Sequence, residues 1–224
     1  FIPAWLAINA VVGLWGVHVQ PLLLAPRTPI FETVLRLENT IFSIANLPVP
    51  FSLPGRTYFP NQLLDGKFDS VNAGIAFGGF GLLFMIGIFL WSLVYARVRR
   101  TNVMLLSVVG LALVCVAMYG INNSVVDPWL LVPVLGLGIF LTSGFTPVAL
   151  AYLAEISGAR VEHRGAVMGL YSVFLGVGQL VGSGAGGLFI SGMGIGFNGL
   201  ILATAILGAI AGVAVVWLRT QHKV

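Results

Sequence analysis

The stretch from Arg164 to Phe189, RGAVMGLYSVFLGVGQLVGSGAGGLF, contains eight glycines and a single charge, the arginine at its first position. It is long and apolar enough to cross the hydrocarbon core of a bilayer, which needs about 20 residues. Glycine is a poor helix former, about 1 kcal/mol less favourable than alanine. In a membrane, however, it lets neighbouring helix backbones approach closely. The stretch therefore predicts a transmembrane helix that packs tightly against another helix.

The composition of the whole chain also indicates a membrane protein. Of its 224 residues, 58% are hydrophobic and 8% are charged, and the mean hydropathy is +1.02. Soluble domains contain roughly 25% charged residues. Charged residues this sparse cannot cover a water-exposed surface. We therefore expect most of the surface to contact the lipid bilayer. The basic residues occur in short clusters between apolar runs, which argues against nucleic acid as a partner.

Six stretches qualify as membrane spans, at about 1–24, 71–96, 103–121, 129–154, 166–190 and 197–218. Within lipid only helices and closed barrels satisfy the backbone hydrogen bonds. The runs lack the period-2 alternation of barrel strands. The sequence therefore predicts an all-α membrane protein with six transmembrane helices.

The basic residues of the connecting segments predict the orientation. Cytoplasmic loops carry an excess of Lys and Arg. One side holds seven of the eleven basic residues, and the other holds four together with five carboxylates. We expect the first side to be cytoplasmic, with both termini there, and the membrane to be the plasma (inner) membrane. The seven are Arg97, Arg99, Arg100, Arg160, Arg164, Arg219 and Lys223.

One connection on the outer side, residues 25–70, is long and holds six of the eleven prolines. Within it the apolar residues Ile30, Val34, Leu37, Ile41 and Ile44 follow a helical 4-3-4-3 spacing. This pattern predicts an amphipathic helix at about 29–46, lying on the outer membrane surface or across a cavity mouth. A solvated loop with partial helix is the alternative.

The glycine pattern carries a family resemblance. Gly178, Gly182, Gly186 and Gly187 fit g-x-x-x-G-P-x-x-G-G, with Ser183 at the proline position. This resembles the glycine motif on the fifth helix of antiporters of the major facilitator superfamily. Because the two halves of these transporters are structural repeats, the eleventh helix is the equivalent place. The resemblance is strongest from Thr146 to Gly187 and implies that the four glycines serve helix packing.

The resemblance extends over nearly the whole chain, as helices seven to twelve. It implies one half of a major facilitator fold, a 3+3 inverted repeat, and a fragment whose N-terminal six-helix half is missing. The implied activity is secondary active transport of a small-molecule substrate by alternating access, as efflux or uptake. Two alternatives remain open: a half-size subunit that dimerises into a transporter, and a channel or structural membrane subunit.

The resemblance also implies a cytoplasmic gate. Glu155 ends the fourth span and Arg164 begins the fifth, so by position they would form the charge pairs that close the cytoplasmic side in the outward-facing state. The loop WSLVYARVRRTN is similar to the family signature G-x-L-x-D-R-x-G-R-R, and Arg99 and Arg100 match its last two positions. Positive-inside anchoring alone would also explain these arginines.

Polar residues inside the spans are the candidates for solute contact, because lipid penalises them and transporters bind substrate near the midplane. Hydroxyls beside Pro147 could instead satisfy the carbonyls that a proline kink frees. Likewise, an amide in a span could serve an interhelical hydrogen bond. His18 is interpreted as a packing or interfacial residue. The candidates are Asn9, Gln20, Thr142, Thr146, Ser172 and Gln179.

No Asp, Glu, Lys or Arg lies in the middle of a span. A proton-coupled transporter needs an ionisable group in its path, so either another half supplies it or the protein is a facilitator. The neutral spans favour neutral or amphipathic substrates. We expect no catalytic site, cofactor or metal, because the sequence has no H-E-x-x-H or G-x-S-x-G motif and its histidines lack neighbouring ligands.

Overall fold

The protein is built from long helices. The computed structural model describes residues 1–24, 62–94, 97–125, 127–158 and 164–221, and the helix expected at 29–46 lies outside these ranges. Within them the chain forms seven α-helices and one π-helical segment. In order these are α1 (Ile2–Leu23), α2 (Ser70–Val94), α3 (Arg100–Asn122), α4 (Pro128–Ser143), α5 (Phe145–Gly158), α6 (Arg164–Gly186), the π-helical segment (Gly187–Gly192) and α7 (Phe197–Gln221).

These helices make six units that are long and apolar enough to cross a bilayer. Two of the units are composite: α4 and α5 join in Pro128–Glu155, and α6 joins the π-helical segment in Tyr171–Gly192. No strand occurs in the described ranges, where the backbone forms a single isolated bridge between Leu24 and Phe68. The prediction of an all-α membrane protein with six transmembrane helices is confirmed.

The helices pack in an open arc. Following the main contacts, the order is α6, α1, α7, α3, α4 and α2, and α5 continues α4 beside α2, α3 and α6. The two ends of the arc are the least buried. In the most apolar part of each span, 11% of the α2 residues and 28% of the α6 residues are buried, against 56% in both α1 and α3. Helices α1 and α3 therefore form the core, and α2 and α6 present most of their surface outward.

The fourth span is broken at Gly144, between α4 and α5. Pro147 has no N–H. It therefore cannot donate the hydrogen bond to the carbonyl of Ser143, four residues earlier, that a continuous helix would contain. Other groups take up the nearby carbonyls. The Phe140 carbonyl accepts hydrogen bonds from the Trp91 indole, at 2.9 Å, and from the Ser143 hydroxyl, at 2.7 Å. The break is thus a built feature that α2 supports through Trp91.

The two ends of the bundle differ in chemistry. One, which we call the basic end, holds Arg97, Arg99, Arg100 and Arg219. The other, which we call the amide end, holds a hydrogen-bonded network of Gln62, Asn122, Asn123 and Asn198. This network joins the end of α3 to the start of α7 and to the segment that leads into α2. Asn122 is fully buried there.

The segment before α2 is also tied to α1 at the amide end. The backbone N–H groups of Gly66 and Phe68 donate to the carbonyls of Leu22 and Leu23, at 2.7 and 2.9 Å. Gly66 has a φ of 65°, a left-handed conformation that glycine adopts without strain. These bonds satisfy carbonyls that the end of α1 leaves without helical partners. The start of α2 is therefore fixed to α1 and α3.

Candidate functional site

A cavity of about 250 Å³ lies between α1, α2, α3 and the broken fourth span. We call it the threonine cavity, because Thr142 and Thr146 are on its wall. Most of the rest of the wall is apolar and aromatic, and none of the lining residues carries a charge. The lining residues are Ile8, Val11, Val12, Trp15, Gly16, Phe77, Phe80, Phe84, Leu111, Val114, Ile139, Thr142 and Thr146.

The hydroxyls of the threonine cavity come from the two sides of the helix break. The Thr142 hydroxyl donates to the carbonyl of Gly138, at 2.8 Å, which is one turn earlier in α4. Thr146 follows in the first turn of α5, directly before Pro147. The break therefore sets both residues on the cavity wall.

A second cavity, of about 330 Å³, lies towards the amide end. We call it the amide-end cavity. Its lining includes Val19 and Leu23 near the end of α1, Met118 and Ile121 near the end of α3, and Phe197 at the start of α7. The two cavities share four lining residues. These are Trp15, Phe77, Phe80 and Ile139.

An aromatic ladder forms the wall between the two cavities. The Phe80 ring stacks on Trp15, with ring centroids 5.5 Å apart, and lies 5.9 Å from Phe84 and 6.3 Å from Phe77. The Trp15 indole N–H donates to the hydroxyl of Thr204 in α7, at 2.8 Å. Thr204 is fully buried and donates in turn to the carbonyl of Leu200. Trp15 is therefore held in place by the core.

In the described part of the molecule, several residues predicted from the sequence lie where α1 and α6 are in close backbone contact. A Cβ atom added to Gly182 would clash with the backbone of Ala10, and one added to Gly13 would clash with the backbone of Gln179. At Gly178 an added Cβ would lie 2.7 Å from the Cβ of Asn9. The two backbones touch because these positions have no side chain. We call this contact the α1–α6 seam.

The seam continues towards the amide end at His18. Its Nε2 lies 2.8 Å from the carbonyl oxygen of Ser183. A Cβ atom added to Gly186 would clash with the imidazole of His18 and would lie 2.6 Å from Leu14. His18 thus fills the space that Gly186 leaves open and bonds to the helix opposite. Gly187, the next residue, is buried in the π-helical segment.

The other solute-contact candidates lie away from the lining of the two cavities. Asn9 is buried in the seam, and its amide donates to the carbonyl of Trp5, at 2.8 Å. Gln179 contributes backbone to the seam, and its side chain is partly exposed. Gln20 is partly buried on α1, and Ser172 is exposed on α6. The structure therefore brings Thr142 and Thr146 together and leaves these four in other places.

Comparison with known proteins places the chain in a family. The family model described as Major Facilitator Superfamily matches residues 41–224, which is most of the chain. The chain belongs to the Major Facilitator Superfamily. Neither the curated proteins nor the solved structures gave a match.

Membership in the Major Facilitator Superfamily fixes the general role. Members are membrane transporters and not enzymes, so the chain is an integral membrane transport protein. Its six spans are half of the superfamily fold. The family resemblance based on the glycine pattern is thereby confirmed. In the described ranges, no group of three or more His, Cys, Asp or Glu residues could hold a metal ion.

At the basic end of this superfamily member, Glu155 forms an ion pair with Arg100, linking α5 to α3. The Arg100 side chain is 31% exposed and that of Glu155 is 66% exposed, so water screens the pair. Arg99 is exposed just before α3, and Arg164 begins α6, with its side chain outside the described set. The charge pair seen here thus joins two helices within this six-helix half.

An aromatic cluster closes the basic end of α1, α5 and α6. The ring of Trp5, which is 2% exposed, lies 4.9 Å from Tyr171 and 6.2 Å from Phe145. Phe1 stacks beside Trp5 and lies 5.1 Å from Tyr152. These ring contacts hold α1, α5 and α6 together at the basic end.

The sequence analysis missed the aromatic and amide residues. It ranked polar residues in the spans as solute contacts, yet Trp15, Phe77 and Phe80 supply most of the wall that separates the cavities. Trp91 is the first residue of the loop WSLVYARVRRTN, which was compared only with a family signature, yet its indole supports the helix break. A usable signal existed at the amide end, where the Asn122–Asn123 pair ends one span and Asn198 begins another.

Proposed function

We propose that this chain is the C-terminal half of a secondary transporter that carries a neutral, amphipathic small molecule by alternating access. The observation that carries the proposal is the threonine cavity. Its wall is uncharged and largely apolar, with four aromatic side chains and with two threonines at the break of the fourth span. A charged solute would lose hydration there without gaining a counter-charge. A neutral solute with an apolar part would bury that part against the rings and place a polar group near the hydroxyls.

The alternating-access part of the proposal is supported by the shape of the half. Helices α2 and α6 end the arc and expose apolar surface, including Ile75 and Leu82 on α2 and Leu180 on α6. In this proposal a second six-helix half, on the same polypeptide or on a second copy of this chain, packs there. The two halves rock around the cavity, and the charges of the basic end meet when that side closes.

The proposed orientation places the basic end in the cytoplasm of a plasma (inner) membrane, with both chain ends on that side. Single cysteines test it in the Cys115→Ala background, which removes the native thiol. Met193→Cys at the amide end should react with a membrane-impermeant thiol reagent added outside intact cells, and Gln221→Cys at the basic end should not. Both native residues are exposed. The opposite labelling pattern would reverse the topology.

The solute class is tested with three probes that share one phenyl ring and differ in charge: phenyl β-glucoside, benzoate and benzyltrimethylammonium. The transporter is reconstituted in liposomes together with its second half, and exchange of each radiolabelled probe is measured. We expect saturable exchange of the glucoside, and a reduced rate when Thr146→Val removes a hydroxyl while keeping the side-chain shape. Val12→Thr is the reciprocal variant, because it adds a hydroxyl to the part of the cavity wall that α1 contributes. Preference for either charged probe would contradict the proposal.

A channel predicts a different kinetic result. Channel flux rises in proportion to solute concentration and shows no counterflow, whereas a carrier saturates and exchanges. Saturation with counterflow by the pair of halves, and its absence for this chain alone, supports the two-half carrier. Counterflow by liposomes that contain only this chain would identify the half-size dimer instead.

A further inference from the structure

The wall between the threonine cavity and the amide-end cavity has one well-supported side and one side that is little buried. It consists of Trp15 and Ile139 on one side and of Phe77 and Phe80 on the other. The two residues of the first pair are themselves well supported: Ile139 is 6% exposed, and Trp15 is bonded to Thr204 in the core. The second pair belongs to α2, the least buried span in the described part of the chain.

Helix α2 is held at its two ends and loose in the middle. Near its start Ala73 is buried, and near its end Gly87 and Trp91 are buried against the fourth span. None of the residues between Ala73 and Gly87 is buried. Phe77, Phe80 and Phe84 all fall in this middle part. The rings that face Trp15 are therefore carried by a part of α2 in which no residue is buried within these six helices.

The middle of α2 also contains four glycines that face no other helix among the described residues of this chain. A Cβ atom added at Gly74, Gly78, Gly79 or Gly81 would meet no described atom within 4 Å. In a helix interior each such glycine costs about 0.5–1 kcal/mol relative to alanine, because glycine loses more conformational freedom on folding than any other residue. Three of the four lie within two residues of Phe80. Low helix propensity thus coincides with the ring that stacks on Trp15.

We propose that Phe80 is a movable partition that divides one transport path into two chambers and sets the size of solute that passes between them. This rests on the proposed function, since it identifies the specificity-determining residue of the same cavity. When Phe80 leaves Trp15, the two cavities join. A flat apolar group of the solute then takes the place of the Phe80 ring on the fixed indole, where stacked rings gain about 0.5–1.5 kcal/mol beyond their buried area.

The test uses two reporter cysteines on the same face of α3, one in each cavity. Met118→Cys lines the amide-end cavity and Leu111→Cys, seven residues earlier on α3, lines the threonine cavity. Each is made in the Cys115→Ala background and placed in sealed vesicles with the amide end outside, as checked with Met193→Cys. The probe is trimethylammonium-ethyl methanethiosulfonate, added outside, and the labelling rate is measured.

In the parent protein we expect Met118→Cys to react at least tenfold faster than Leu111→Cys. Adding Phe80→Ala should raise the rate at Leu111→Cys at least tenfold and leave Met118→Cys within about twofold. Phe89→Ala is the matched control, because Phe89 is on the same helix, is 62% exposed and lines neither cavity. If Phe80→Ala yields too little folded protein, Phe80→Leu should shift the rate in the same direction by a smaller factor.

Equal labelling rates at the two reporters in the parent, or an unchanged rate at Leu111→Cys in both Phe80 variants, would overturn the partition. The result is separable from the proposed function, because labelling does not require transport. A rate increase in Phe80→Ala without phenyl β-glucoside exchange in the parent keeps the partition and removes the proposed solute class. Exchange of phenyl β-glucoside in the parent, together with unchanged labelling in both Phe80 variants, keeps the proposed solute class and removes the partition.

Discussion

The α1–α6 seam and the middle of α2 are both rich in glycine, and they use it for opposite purposes. In the seam, Gly13 and Gly182 lie against backbone of the opposite helix, so a side chain at either position has no space. In α2, Gly78 and Gly79 face open space in the described part of the molecule. Glycine content alone therefore does not reveal whether a membrane helix is fixed or deformable; the neighbours of each glycine decide.

This difference assigns distinct roles to the two regions. The seam joins α1 to α6 with almost no tolerance for added volume, so we expect these two helices to move as one body. The middle of α2 packs against the core through the rings of Phe77, Phe80 and Phe84, but it has no buried residue in these six helices and holds several glycines, so we expect it to deform at lower cost. A transporter needs both: a rigid frame that transmits rocking, and a local element that opens a path.

The largest effect expected from this comparison is at Gly182. Gly182→Leu should destabilise the protein by at least about 3 kcal/mol, the upper range for overpacking, because backbone atoms of Ala10 cannot move aside as a side chain would. Gly184→Leu, two residues later on the same helix, should be tolerated, because Gly184 is exposed and a Cβ atom added there would meet no described atom within 4 Å. Monodisperse yield from detergent and apparent melting temperature measure both. Equal behaviour of the two variants would contradict the seam.

The next largest effect is at the amide end, which fixes the start of α2. The Asn122 side chain donates to Gln62 and Asn198 and accepts from the backbone N–H of Leu64, all at 2.9–3.2 Å. Asn122→Ala should cost about 1–3 kcal/mol, because buried partners lose their hydrogen bonds. Asn123→Ala, at a partly exposed position of the same network, should cost less. Thermal unfolding measures both, and a larger loss for Asn123→Ala would contradict a buried anchor.

The six spans, the glycine motif and the break beside Pro147 could be predicted from the sequence, because hydropathy, backbone chemistry and a fixed residue spacing are local properties. The site could be predicted only in part. Thr142 and Thr146 lie on the cavity wall, yet Asn9, on the same helix as the ring of Trp15, turns into the seam. Which polar residue faces a cavity depends on how α1 is rotated against α6, and that rotation is set by contacts distant in sequence.

The third prediction stiffens the loose region. The double variant Gly78→Ala, Gly79→Ala should raise the stability by about 0.5–1 kcal/mol for each site, since alanine fits the open space and favours the helix. The same variant should slow exchange of phenyl β-glucoside several-fold, because α2 must deform to move Phe80. Gly182→Ala, in the seam, should instead lower the stability. Faster exchange in the stiffened protein would argue that α2 moves as a rigid rod.

The smallest effect concerns the charges at the basic end, which belong neither to the α1–α6 seam nor to the middle of α2. Arg100 and Glu155 pair across α3 and α5, and Glu155 is 66% exposed, so the pair should contribute no more than about 1 kcal/mol to stability. A double-mutant cycle with Arg100→Gln and Glu155→Gln should give a coupling of this size in thermal unfolding.

The proposed gate depends on Arg164 in a different way, because Glu155 already has a partner within this half. If Arg164 meets the second half when the cytoplasmic side closes, Arg164→Ala should favour the inward-facing state and lower the labelling rate of Gln20→Cys from outside, while melting temperature hardly changes. An energy difference of about 1 kcal/mol shifts a two-state population about fivefold, so a change of several-fold in labelling is measurable. Arg99→Ala, also at the basic end, is the matched control for loss of one positive charge. An unchanged or faster rate at Gln20→Cys in Arg164→Ala would leave the basic residues as topology anchors alone.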